Sequence, residues 1–330
     1  MDKAHGQISL SNALGAREIL KNFLAPTPLR HYPSLDRLTG AQIFVKHENH
    51  NPTGTFKIRG GITLMHHLRK KGIKGVVTYS TGNHGTSVAT SAKMFGLTAV
   101  VVVPEKSNPL KMQSIKDAGA ELIEYGKDFE AAGRKVAQLE DERGLYFVHP
   151  ANEAHLINGV ATEFFEILEM VPDMDTMVIP IGAGSEAAAA ITVLKQIRPE
   201  IDIIGVQAEA SSAAYLSWTQ KKIVSASNTS FAGGVATGTA YEVPFSLYKN
   251  GLADFILLTE EELYQGIALS AHHTRNLTEG AGGACLRAAL KISDRLHGKK
   301  VVIQMSGANA SGHELQEAMA QPCLASGVVG

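Results

Sequence analysis

Cysteine is nearly absent from this chain. Only Cys285 and Cys323 occur in 330 residues, too few for a disulfide framework or a cysteine metal site. Both read as reduced thiols, and a cytoplasmic protein is the expectation. Excess charge is absent too: 31 basic and 32 acidic residues leave a net charge of −1. Nothing therefore favours general attraction to nucleic acid or to an anionic membrane. No apolar run approaches the ~18–20 residues that a membrane span needs, and the opening residues lack a charged-then-apolar leader pattern. Low-complexity tracts, long linkers and short-period repeats are also missing. What remains is ordinary globular composition, 44% hydrophobic and 19% charged, at a length that suits one large domain or two smaller ones.

Short runs rich in valine and isoleucine alternate with amphipathic runs. "AQIFVKHE", "GVVTYS", "TAVVVVP", "AELIEYG" and "LYFVHP" read as strands. "IRGGITLMHHLRKKG", "HGTSVATSAKMFG", "PLKMQSIKDAG" and "DFEAAGRKVAQLEDERG" read as the helices between them. One long helix is expected from about Ala154. After it come the strand "DTMVIPIG", the helix "SEAAAAITVLKQI" and the strand "IDIIGVQAE". Near the end "GGACLRAALKISDRLHG" reads as a helix and "KKVVIQMSG" as a strand. Alternation of this kind predicts an α/β protein with mainly parallel sheets covered by helices on both faces. Ligands bind such sheets at the carboxyl ends of their strands, where several glycine-rich turns fall here.

Four stretches carry candidate chemistry. "HENHNPTGTFKIRGG" places Lys57 between apolar Phe56 and Ile58, with glycines on either side. "STGNHG" (80–85) follows a strand and opens a helix. Its amides, with Ser80, Thr81, Asn83 and His84, suit a carboxylate or another small anion, though the same residues also serve as ordinary caps. "GAGSEA" (182–187) likewise opens a helix and suits a phosphate. It also matches the dinucleotide pattern G-x-G-x-x-A, with Glu209 ending the next strand, so a nicotinamide-dependent oxidoreductase stays open at this point. "MSGANAS" (305–311) brings Ser306 and Asn309 to the end of the last strand. The histidine pairs (47/50, 66/67, 272/273) lack the helical H-x-x-x-H spacing with a nearby acid, which argues against a metal cluster. Glu279 reads as a cap.

The order T-G-T-F-K-I-R-G, S-T-G-N-H-G, G-A-G-S, S-G-A-N, with the opening "TPLRHYPSLDRLTGAQIFVKHEN", resembles pyridoxal-phosphate enzymes of the tryptophan-synthase-like fold type II. It is most similar to the threonine/serine dehydratase and serine racemase branch, from about Thr27 to Ser311. The resemblance implies a homodimer of two-domain subunits, with residues 1–67 and 153–330 forming the large domain and 68–152 a smaller inserted one. The cofactor would lie in the cleft between them. It implies that Lys57 forms the Schiff base, in an apolar setting that disfavours the ammonium. Phe56 precedes it as in the family. Asn83 would bond the cofactor's phenolic oxygen, Gly182, Ala183, Gly184 and Ser185 its phosphate, and Ser306 its ring nitrogen. Ser80, Thr81, Gly82 and His84 would receive the substrate carboxylate.

The implied reaction is elimination of water from a β-hydroxy amino acid such as L-threonine or L-serine, giving a 2-oxo acid and ammonia, with Lys57 as base. Thr81 stands where racemases of the branch carry a hydroxyl, so racemisation is an alternative. A bulkier hydroxy amino acid or related amine is another, as is a non-catalytic binding protein. Gln207 and Ala213 stand where the branch's divalent-cation carboxylates would be, which implies a metal-independent enzyme.

Overall fold

The computed structural model describes residues 7–107 and 109–323. The first elements are α1 (Leu10–Leu20), β1 (Leu29–His31), α2 (Pro33–Thr39), β2 (Gln42–Lys46), α3 (Lys57–Lys70), β3 (Gly75–Tyr79) and α4 (Asn83–Met94). Next come β4 (Thr98–Val103), α5 (Pro109–Asp117), β5 (Glu121–Glu124), α6 (Phe129–Arg143), β6 (Tyr146–Phe147), α7 (Ala154–Val160) and α8 (Thr162–Met170). Then follow β7 (Thr176–Pro180), α9 (Ser185–Ile197), β8 (Asp202–Ala208), α10 (Ala213–Gln220), α11 (Glu242–Gly251) and β9 (Asp254–Leu258). The last are α12 (Glu260–Thr274), α13 (Gly280–Lys291), α14 (Ser293–Leu296), β10 (Lys300–Gln304) and α15 (Gly312–Met319). Among the described residues, no helix is long and apolar enough to cross a membrane.

The chain forms two compact units. The first comprises Met1–Leu24 and Lys57–Val160; the second comprises Ala25–Phe56 and Ala161–Gly330. Segment 68–152 lies wholly inside the first. That unit's sheet has the order β5-β4-β3-β6, and every pair is parallel. Successive valines of β3 point to opposite faces, as the pleat requires. Val76 joins Leu64, Met65 and Leu68 of α3, Val88 and Ala92 of α4, and Leu156 of α7. Val77 joins Ala132, Val136 and Leu139 of α6 on the other face. Both faces are thus dry, which is why these strands are continuous valine runs rather than alternating ones.

The second unit holds a six-stranded sheet, β1-β2-β10-β7-β8-β9, parallel except for β1. Ile43, Val45, Val178, Ile204, Val206, Val301 and Ile303 meet α12 and α13 on one face. Helices α8 and α9 cover the other. The single helix expected from Ala154 is in fact two, α7 and α8, broken at Ala161. The division of the chain into units falls at the same place: α7 packs on α3 and α1, and α8 packs on α9.

Candidate active site

In the first unit, the candidate residues cluster where α3 and α4 begin. Lys57 is the first residue of α3, and its backbone carbonyl accepts a hydrogen bond from Ser87 Oγ of α4 at 2.8 Å. Two glycines let these helices approach. A Cβ on Gly61 would sit 2.3 Å from Ser91 Oγ and 2.7 Å from Ser87 Oγ; one on Gly60 would sit 2.7 Å from Leu156 O of α7. The glycines after the lysine therefore serve helix packing, and they fix the position of the residue that starts the helix. The half-buried Ser80–Asn83 turn links β3 to α4, with the Gly82 amide donating to Ser80 Oγ at 3.2 Å.

His84 is buried beneath that turn. Thr78 Oγ1 donates to Val148 O at 2.9 Å, so its remaining capacity toward His84 Nε2, 3.1 Å away, is as an acceptor. Nε2 thus carries the proton and Nδ1 the lone pair. Burial first, and the charge of Lys57 second, lower the His84 pKa to about 3, so the ring is neutral at working pH. Sequence reasoning passed over His149, which follows β6, the neighbour of β3. Its Nδ1 accepts from the amides of Ala151 at 3.0 Å and Asn152 at 2.9 Å, leaving Nε2–H as a donor. Its proximity also acts, as a lesser cause, to lower the His84 pKa. The first unit therefore brings Lys57 together with two imidazoles, both protonated on Nε2. The "HP" following a strand was the one signal for the second.

In the second unit, the candidate turns follow adjacent strands β7 and β10. Gly182 and Gly184 have no room for side chains. A Cβ on Gly182 would lie 2.6 Å from Gly234 O, and Gly184 adopts φ +90°, a left-handed conformation that favours glycine. Together with Ala183 they lead into α9, a 13-residue helix whose first residue is Ser185. Among the described residues, no hydrogen bond is made by the amides of Gly182, Ala183, Gly184 or Ser185. Open amides at the positive end of a helix dipole form a donor set for an anion such as phosphate.

Ser306 is buried, and its carbonyl accepts from the amide of Phe56 at 3.3 Å, while Thr55 bridges Gly307. The strip just before Lys57 is thus zipped to the turn after β10. Asn309 is exposed and donates to Thr53 O at 2.9 Å, so it ties two loops together. The second unit's buried lysine, Lys46, spends its amine on Glu166 at 2.5 Å and Thr27 O at 2.9 Å. Glu209 is exposed at the end of β8. Gln207 is buried, and its Oε1 accepts from the amide of Tyr215 at 2.9 Å. Among the described residues, no group of three histidine, cysteine or acidic side chains is placed to hold a metal ion. Both cysteines are free and buried.

The family described as "Pyridoxal-phosphate dependent enzyme" matches residues 20–307. The chain belongs to this family. Pyridoxal phosphate is its cofactor, and membership decides against the nicotinamide alternative that "GAGSEA" left open. The residues present fit that cofactor: a phosphate-sized amide donor set, a lysine at a helix start and a buried serine hydroxyl beside the strip that precedes it. An L-threonine ammonia-lyase from Thermotoga maritima is 34% identical over 305 residues, covering 92% of this chain and 76% of that one. The "L-threonine dehydratase catabolic TdcB" of Staphylococcus aureus is 33% identical over 312 residues, covering 92% of this chain and 89% of that one. Among solved structures, maize serine racemase superposes with a TM-score of 0.89 at 26% identity, covering 94% of this chain and 96% of that one. The processed form of threonine deaminase isoform 2 from Solanum lycopersicum gives 0.88 at 27% identity, covering 94% and 86%.

Proposed function

We propose that this pyridoxal-phosphate enzyme is a dehydratase for a small β-hydroxy amino acid, with L-threonine or L-serine as substrate. The products are the corresponding 2-oxo acid and ammonia. The observation that carries this reading is the pair of relatives named for threonine deamination, a third identical over 92% of the chain.

Bound pyridoxal phosphate supplies the electron sink for the reaction. Lys57 would hold the cofactor covalently, and its amine would serve as the base for the substrate's α-proton. Asn83 would bond the phenolic oxygen, and the amides of Gly182, Ala183, Gly184 and Ser185 would hold the phosphate. Ser306 offers the ring nitrogen a hydroxyl and no charge. The substrate carboxylate is received by Ser80, Thr81, Gly82 and the turn above His84, whose ring is a fixed neutral prop rather than a proton carrier. Thr81 adds a hydroxyl that supports a minor racemisation, consistent with the likeness to a serine racemase. The same reading includes a homodimer in the cytoplasm and no divalent metal.

Ammonia and 2-oxo acid release from a panel of L- and D-hydroxy amino acids tests this proposal. Release from L-threonine or L-serine is expected. Protein coloured yellow by a Schiff base between cofactor and lysine that releases ammonia from neither, but does so from a bulkier substrate, would move the assignment within the family. Yellow protein that turns over nothing would make it a silent binder.

A further inference from the structure

Tyr248 of α11 lies against the amide loop at the start of α9. A Cβ on Gly184 would stand 3.0 Å from Tyr248 Cε1 and 3.4 Å from Cδ1, so the hydroxyl end of the ring is the end nearer the loop. The residue is 1% exposed, and among the described residues no group hydrogen-bonds its Oη. The ring is held by its own helix: α11 packs closely on α9, where a Cβ on Gly251 would lie 2.6 Å from Ile191 Cδ1. Buried hydroxyls are rarely left without a partner, because desolvation is then uncompensated. The neighbouring loop amides make no bond to the phenol oxygen and offer no acceptor for its proton. One acceptor with several lone pairs satisfies all of them. The carboxylate of Glu186, the next residue along, acts instead on Cys285 of α13, whose thiol is pushed up by burial and by that charge.

We propose that Tyr248 is a cofactor-binding residue, its hydroxyl donating a hydrogen bond to the phosphate held by Gly182, Ala183, Gly184 and Ser185. Burial raises the phenol's pKa above its ordinary value, so it stays a protonated donor at neutral pH. The proposal rests on the pyridoxal-phosphate reading above and adds a side-chain donor to a site otherwise built from backbone.

The test is Tyr248→Phe, which keeps the ring and removes only the hydroxyl. Apoprotein of parent and variant is titrated with pyridoxal phosphate and with pyridoxal, which lacks the phosphate, following visible absorbance. Thermal midpoints of both apoproteins are recorded alongside. The expected result is about a ten-fold weaker affinity for pyridoxal phosphate in the variant. Affinity for pyridoxal should be unchanged, and the apoprotein midpoint unchanged or higher. Equal affinity for pyridoxal phosphate in parent and variant overturns the proposal. An equal loss for both ligands, with a lowered midpoint, assigns the hydroxyl to packing and also overturns it. A parent apoprotein that binds neither compound would instead sink the cofactor reading itself.

Discussion

Two strand-to-helix turns, one in each unit, are built from opposite materials. The Ser80–Gly85 turn after β3 is rich in side chains: two hydroxyls, an amide and an imidazole locked in one tautomer by Thr78. The Gly182–Ser185 turn after β7 has almost none, and its chemistry is carried by backbone amides at a helix start. A phosphate presents the same oxygens in every substrate and needs only a rigid cradle of donors. In the proposed function, an amino-acid carboxylate would arrive with each turnover and need orienting against a base. Side chains suit the second task, and glycine suits the first.

The largest expected effect lies on the side-chain half. Lys57→Ala should abolish the yellow colour and lower activity by about 10³-fold or more, since both cofactor attachment and the base are lost. The fold should survive, because α3 is anchored by Ile58 and Ile62 in the core rather than by the lysine. Circular dichroism beside the activity assay checks both halves of this expectation.

On the backbone half, Gly182→Ala drives a methyl to 2.6 Å from Gly234 O, a backbone atom that cannot rotate away. It should cost about 1–3 kcal/mol of stability and weaken cofactor binding. Gly82 has open space at its Cβ position, so Gly82→Ala should leave stability nearly intact. Denaturant melts of the two variants would measure the contrast; equal losses would erase it.

The buried imidazole makes the first turn sensitive to acid. His84 is neutral in the folded state down to about pH 3, whereas the unfolded side chain takes up a proton near 6.5. Between those values the unfolded chain binds more protons, so stability falls as pH falls. The loss should be about 2 kcal/mol from this residue between pH 7.5 and pH 5. His84→Asn should flatten that dependence by a similar amount. An unchanged slope would mean that the imidazole titrates in the folded protein.

Ser306→Ala should weaken cofactor binding by about 0.5–1.5 kcal/mol, the value of one neutral hydrogen bond. Ser306→Asp should shift the outcome toward racemisation by holding the ring nitrogen protonated. Clean elimination by that variant would refute a neutral-nitrogen role. The smallest expected effect is none: exhaustive chelation, followed by added magnesium, calcium or manganese, should leave activity unchanged. Gln207 has already committed its one ligand oxygen to the Tyr215 amide.

Much of this fold is legible in the chain. The valine runs of β3 and β4 and the apolar run of β7 announce buried parallel strands, and Gly72 and Gly96, both at positive φ, close α3 and α4. Other elements leave weaker traces. Strand β1 has three residues, too few for a period. The break at Ala161 has no proline to mark it, and Gly159, two residues earlier, still lies within α7; what divides α7 from α8 is the packing of each on different helices. Helices α12 and α15 are not among the elements read from the sequence, although each opens with a capping box, Thr259 with Glu262 and Ser311 with Glu314. The candidate site divides the same way. Lys57 and the two turns are local patterns. The tautomers of His84 and His149 depend on turns and neighbours across strands, and the contact of Tyr248 with Gly184 spans 64 positions of sequence, so no motif records it.

The most direct test of the central claim is to locate the cofactor. Borohydride reduction of the yellow protein, proteolysis and mass mapping should find one modified peptide carrying the pyridoxyl group on Lys57. Modification of a different lysine, Lys46 included, would contradict the assignment of the site and the division of labour between its two turns.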